Sequence, residues 1–151
     1  MTKRDFSLIG ITALVMCIPM AIIAHKNADE PVIQTVAIDW KDIKVAKTAK
    51  GESRKVFNGP TETLEKLDVH ITTLNPGDSS HAPHHHPEEE MLIVKEGNVK
   101  ALVDGEWKPV GPGSIVFEGS NHVHAIKNNG NMPCTYYAIQ WRSTKMGVAA
   151  K

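Results

Sequence analysis

Between Leu67 and Arg142, apolar and polar residues alternate in short runs, and turn-forming residues close most of these runs. Leu67, Val69, Ile71 and Thr73 share one parity and Asp68, His70 and Thr72 the other, which is the two-residue period of a strand with unlike faces. Asn75-Pro76-Gly77-Asp78 then turns the chain. Further strands are expected over Glu90–Lys95, Asn98–Val103, Glu106–Val110, Ser114–Glu118, His122–Lys127 and Cys134–Arg142. Asp104-Gly105 predicts a two-residue hairpin, because both central positions of that turn need positive φ. Short strands at this spacing, with turn signals between them, predict an all-β sandwich or barrel. The chain carries no internal repeat, low-complexity tract or long helical period.

Before Leu67 the pattern is weaker. Val32–Ile38 and Lys55–Phe57 are apolar enough for short strands, and Thr61–Lys66 for a single helical turn. Asp39–Ser53 is lysine-rich and is expected to be a surface excursion tacked to the core by Trp40, Ile43 and Val45. Residues 2–5 carry two positive charges, and the 19 residues from Phe6 to Ala24 carry none. A basic start, an apolar middle and a small residue at the end make a secretory signal. An uncleaved anchor is the rival, since a helix of that length spans roughly 28 Å. Pro19 and the lack of a basic stop favour cleavage. Either outcome puts the functional domain outside the cytoplasm, periplasmic or extracellular, with a membrane involved only through this segment. The expected division is 1–24 signal or anchor, 25–60 linker and N-terminal strands, 61–144 barrel, and 145–151 flexible tail.

Composition excludes some functions. At 151 residues, one domain is expected, large enough to build a core without disulfides. Formal net charge is zero, and removing residues 1–24 leaves it close to balance. No basic stripe points to nucleic acid. Of the two cysteines, Cys17 lies in the apolar leader, so Cys134 is expected to be a buried thiol without an intrachain partner.

Histidine changes the picture. Six of the eight histidines lie between His81 and His124, four of them within His81–His86. In an extended segment His84 and His86 point the same way and His85 the other. Pro87 cannot donate to a ladder, so the chain is expected to turn there and Glu90 to enter the next strand. Two imidazoles and a carboxylate can then meet on one ion, with His124 from a later strand as the fourth ligand. Glu88 and Glu89 are rivals to Glu90, and His122 is a spare ligand. Leu92 and Val94 share the parity of Glu90 and are expected to line the barrel, with Met91 and Ile93 facing outward. Trp107, Trp141, Tyr136 and Tyr137 are expected in core or interface packing, with the lining of a substrate pocket as the alternative, and Arg54 and Arg142 on the surface, with a hold on a substrate carboxylate as theirs.

These spacings resemble the two motifs of the cupin superfamily. Gly77, His84, His86, Glu90 and Gly97 follow the first, with six residues rather than five between Gly77 and His84. Gly113, His124 and Asn128 follow the second, with Gly119 where the family has proline and Asn121 where it has glycine. The resemblance covers about residues 67–142. It implies a single-domain double-stranded β-helix, or jelly-roll barrel, with a metal inside held by His84, His86, Glu90 and His124, and often a homodimer. Three imidazoles and one carboxylate suit Fe, Mn, Zn, Ni or Cu as the divalent ion.

Three functions remain open at this level. The first is a dioxygenase of a small-molecule substrate, with the metal activating O₂ and Glu90 as ligand or catalytic base. The second is a redox-neutral isomerase, lyase or hydrolase using the metal as Lewis acid. The third is a non-catalytic protein that binds a metal or small ligand.

Overall fold

A computed structural model describes residues 30–143; the expected leader at 1–24 and tail at 145–151 lie outside them. The chain forms a short 3₁₀ turn at Trp40–Asp42 and nine strands: β1 (Ala46–Thr48), β2 (Gly51–Gly59), β3 (Lys66–Leu74), β4 (Glu89–Glu96), β5 (Val99–Val103), β6 (Glu106–Val110), β7 (Ile115–Glu118), β8 (Ala125–Asn128) and β9 (Cys134–Arg142). A six-stranded sheet runs β1-β2-β3-β9-β4-β7 and a three-stranded sheet runs β6-β5-β8, with every pairing antiparallel. These are the two sheets of a jelly-roll barrel.

The core lies between the sheets. Leu92, Val94, Val116, Tyr136 and Ala138 come from the larger sheet and Val99, Ala101 and Ile126 from the smaller, with Leu74 and Cys134 closing one end. In β4 the buried positions are Glu90, Leu92 and Val94, while Met91 and Ile93 are half-exposed on the other face, as the alternation predicts. The β5–β6 hairpin turns at Asp104 (φ 51°) and Gly105 (φ 80°), both in the left-handed region that its sequence requires. Cys134 is free and buried, and burial raises the pKa of its thiol.

The N-terminal third departs from the pattern. Val32–Ile38 forms no strand: Ile33 donates one hydrogen bond to Pro60 O (2.9 Å), and Val36 and Ile38 stay exposed. Its apolar residues lie against the outside of the larger sheet rather than within it, where Val36, Ile38 and Trp40 line a groove with Val69 and Tyr137. The strand expected at Lys55–Phe57 spans Gly51–Gly59 and pairs along β3, so the larger sheet begins before residue 61. Within the expected lysine-rich excursion, residues 46–48 pair back on β2. Thr61–Lys66 makes no helical turn. Thr61 N–H donates to Leu64 O (3.0 Å), and Leu64 N–H donates to Thr61 Oγ1 (3.0 Å). The threonine hydroxyl competes with helical bonding for the local amide.

Candidate metal centre

The centre is assembled by the long connection between β3 and β4. Gly77 has φ 81°, and Asp78 N–H donates to Asn75 O (3.2 Å), so Asn75–Asp78 is the turn its sequence predicts. The connection then runs antiparallel to the chain around β8. Ser79 bridges Lys127, and His84 and His124 exchange both backbone hydrogen bonds, at 3.1 and 2.9 Å. Asn121 N–H donates to His86 O (2.8 Å), and the Ser120 hydroxyl donates to Pro87 O (2.7 Å). The backbone itself therefore holds His84 and His86 against His124.

Glu90 enters on β4, on the inward parity. Directly across the pair with β7 stands Glu118. The donor atoms form two overlapping triads, His84/His86/His124 and Glu90/Glu118/His124, each with its atoms within 4.8 Å of one another. The imidazole rings lie 4.5 Å (His84–His124) and 4.7 Å (His86–His124) apart, centre to centre. Glu90 Oε2 is 3.2 Å from His86 Nε2 and 3.4 Å from His124 Nε2, and Glu118 Oε2 is 3.5 Å from His124 Nε2.

Backbone carbonyls behind the imidazoles select the tautomers. His86 Nδ1 lies 3.0 Å from Glu88 O and His124 Nδ1 lies 2.8 Å from His122 O. Each Nδ1–H donates to a carbonyl, which leaves Nε2 with its lone pair facing the centre. Burial, aided by the neighbouring His84 and His86, lowers the pKa of His124 and favours the neutral, ligating form. Burial, and next the charge of Glu90, pushes Glu118 up to about 8.

The residues fit a divalent cation. His84 Nδ1, His124 Nε2 and both oxygens of Glu118 are buried without a hydrogen-bond partner. Such atoms are costly unless something else satisfies them. A divalent ion among neutral imidazoles and carboxylates would do so.

The other residues singled out in the sequence fall outside this cluster. The Glu88 carboxylate is 3.4 Å from Arg142 Nη1 and 3.9 Å from Lys66 Nζ, and Glu89 accepts from Trp141 Nε1 (2.8 Å). His122 is not a spare ligand. Asn121 has φ 60° and His122 N–H closes a turn onto Gly119 O, so the expected strand begins only at Ala125 and the shared parity with His124 is lost. The His122 side chain is 70% exposed, beside Asp104. His81 and His85 are both exposed, and His81 also packs edge-on to His84 at 4.1 Å. Arg54 is only 15% exposed, pairing with Glu52 and lying over the Trp40 ring. Trp107 is exposed, and Tyr136 is buried at the cavity wall. Glu118 is the member the sequence reading missed. In Ile115-Val-Phe-Glu118 the larger apolar side chains sit on the opposite parity, and only the pairing with β4 reveals that Val116 and Glu118 face inward.

A cavity of about 440 Å³ opens beside the cluster. Glu90, Glu118 and His124 lie on its wall, with Leu92, Ile126 and Ala138 as apolar surface and Lys50, His70, Thr72, Ser80, Tyr136 and Gln140 as polar groups. His70 Nδ1 is 2.9 Å from Asp68 Oδ1, an imidazole backed by a carboxylate.

The motifs and the sheets agree with comparison to known proteins. Residues 70–140 match the family model described as Cupin domain. No curated protein matches the chain. Among solved structures, the Cupin_2 domain of an XRE family transcriptional regulator from Enterobacter cloacae is 27% identical, with a TM-score of 0.51 over 58% of this chain and 92% of that one. A sugar phosphate isomerase of the cupin superfamily from Silicibacter pomeroyi is 20% identical, with a TM-score of 0.60 over 72% and 76%. A predicted oxalate decarboxylase from Thermotoga maritima is 20% identical, with a TM-score of 0.57 over 71% and 99%. Residues 70–140 thus form a cupin domain, and these structures share its fold.

Proposed function

We propose that this protein is an exported divalent-metal enzyme acting on a small, oxygen-rich organic molecule, with His84, His86, Glu90 and His124 holding the metal. The observation that carries the reading is the position of the cluster on the wall of a cavity large enough for a small substrate, with polar groups facing it. A metal held by these four residues keeps at least one position open for a substrate oxygen or for O₂. The bound ion would supply Lewis acidity and, if redox-active, oxygen activation. The chain's own residues do the rest. Lys50, Gln140 and the Tyr136 hydroxyl offer donors for substrate oxygens, and Leu92, Ile126 and Ala138 exclude water from one side.

Dioxygenation is the first chemistry to test. Protein purified from its native compartment without a histidine tag is analysed for metal, then assayed for O₂ uptake with phenolic and diketone substrates. Uptake that depends on substrate and is lost in His86→Ala is the expected result. A protein that holds only zinc and consumes no O₂ would exclude it. The second reading, redox-neutral isomerisation or elimination, is favoured by the Asp68–His70 pair. A carboxylate behind an imidazole in the same cavity is equipped to move a proton at His70 Nε2. Under that reading His70→Gln lowers kcat and leaves metal content unchanged. The assignment to the cell envelope rests on the leader, residues 1–24, and is tested by fractionation and by the N-terminal sequence of the native protein.

A further inference from the structure

Glu90 and Glu118 face each other across β4 and β7 with side chains 8% and 3% exposed. No lysine or arginine within 4.0 Å pairs with either carboxylate among the described residues. Glu90 has two imidazoles as neighbours, but both oxygens of Glu118 lack any hydrogen-bond partner, and one of them lies 3.5 Å from the unpartnered Nε2 of His124. Two adjacent buried acids without a cation are unstable in a low-dielectric interior. A cation lying where Glu118 and His124 both point would satisfy both groups at once.

We propose that Glu118 is a further ligand of the same ion, so that the site presents three imidazoles and two carboxylates. This rests on the reading that the cluster holds a divalent metal. Two carboxylates and three neutral imidazoles cancel the charge of a divalent ion completely, which suits a buried site. The second carboxylate also moves the donor set toward hard oxygen, favouring Mn(II) and Fe(II) relative to Cu(II) and Zn(II). The rival is a pair of acids that merely share a proton, with Glu118 making no bond to metal.

The test uses the purified full chain, stripped of metal with a chelator. Mn(II) and Zn(II) are titrated calorimetrically into wild type, Glu118→Gln and Glu118→Leu, and the visible absorption of each Co(II)-loaded protein is recorded. The expected result is a loss of Mn(II) affinity of at least about tenfold in both variants, a size typical of losing a group that supports a metal site. The loss for Zn(II) is smaller, and the Co(II) bands shift because the ligand set has changed. Thermal melts of the metal-free variants check that both fold. Unchanged affinity overturns the proposal and leaves the four-ligand reading standing. So does weaker affinity with unchanged Co(II) bands, since that is the signature of a field effect without a bond. If wild type binds neither Mn(II) nor Zn(II), both readings fall together.

Discussion

Asn128 holds more of the fold together than its size suggests. It is fully buried, its amide donates to Leu74 O (3.0 Å) and Met132 O (2.9 Å), and its carbonyl accepts from Gly130 N–H (2.9 Å). It thus ties the end of β3 and the β8–β9 loop to the strand that follows His124. Asn128→Ala leaves two carbonyls and an amide without partners, and is expected to cost about 2–4 kcal/mol in urea unfolding. Glu118 gives a second prediction, for metal-free protein. Its carboxyl is raised from an ordinary 4.5 to about 8, so between those values the native state keeps a proton that the unfolded chain has lost. The stability it lends is complete below 4.5 and is lost progressively as pH rises to about 8. Urea midpoints in chelator should fall across that window, and Glu118→Gln should flatten the slope. At this scale the sequence was readable where spacing carried the information. His84, His86, Glu90 and His124 sit at motif intervals, and the structure brings all four together. Glu118 has no such interval; it became visible only through a strand pairing that no local pattern encodes.

Elements follow the alternation well where both faces of a strand have something to pack on. β3 to β9 lie within a few residues of their expected bounds because turn residues close their ends and all but β6 have an inward face that the core must cover; the largely exposed β6 is set by the Asp104-Gly105 hairpin instead. Of those ends, Gly97 is the most constrained. It has φ 81°, and a Cβ there would sit 2.6 Å from Cys134 Cα and Cβ and 2.9 Å from Pro133 O. Gly97→Ala combines backbone strain with a clash against main chain and is expected to destabilise by more than about 2 kcal/mol, read as a lower urea midpoint at unchanged slope. The N-terminal elements were harder to read for a physical reason. β1 is exposed throughout and β2 largely half-buried, so no buried stripe marks them. Conversely, the apolar Val32–Ile38 looks like a strand and is none, because hydrophobicity alone supplies no edge to pair with.

For the whole molecule, the centre is a junction between the sheets. Glu90 and Glu118 belong to the larger sheet, His124 directly precedes the first residue of β8 in the smaller, and His84 and His86 lie on the connection between β3 and β4. Metal binding should therefore stabilise the entire fold. At a free metal concentration one hundred times Kd, linkage gives about 2.7 kcal/mol. A rise in Tm on adding metal, absent in His86→Ala, is the expected outcome of a thermal melt. The jelly-roll class was legible because it needs only strand number, spacing and turn chemistry. The order of strands within the sheets was not, since β3, ending at Leu74, pairs with β9, which begins only at Cys134.

The lacing of His84 to His124 by two backbone hydrogen bonds also sets when the ion can be captured. Forty positions separate these two ligands in the chain, so an unfolded polypeptide offers no pocket, only scattered imidazoles. The barrel has to close before the full set converges. An ion bound by this set would then be chosen late, from whatever the surroundings supply at the moment of closure. Refolding the protein in mixtures of Mn(II) and Zn(II), and comparing the trapped metal with that taken up by folded apoprotein, would separate a choice made by affinity from one made by the place of folding.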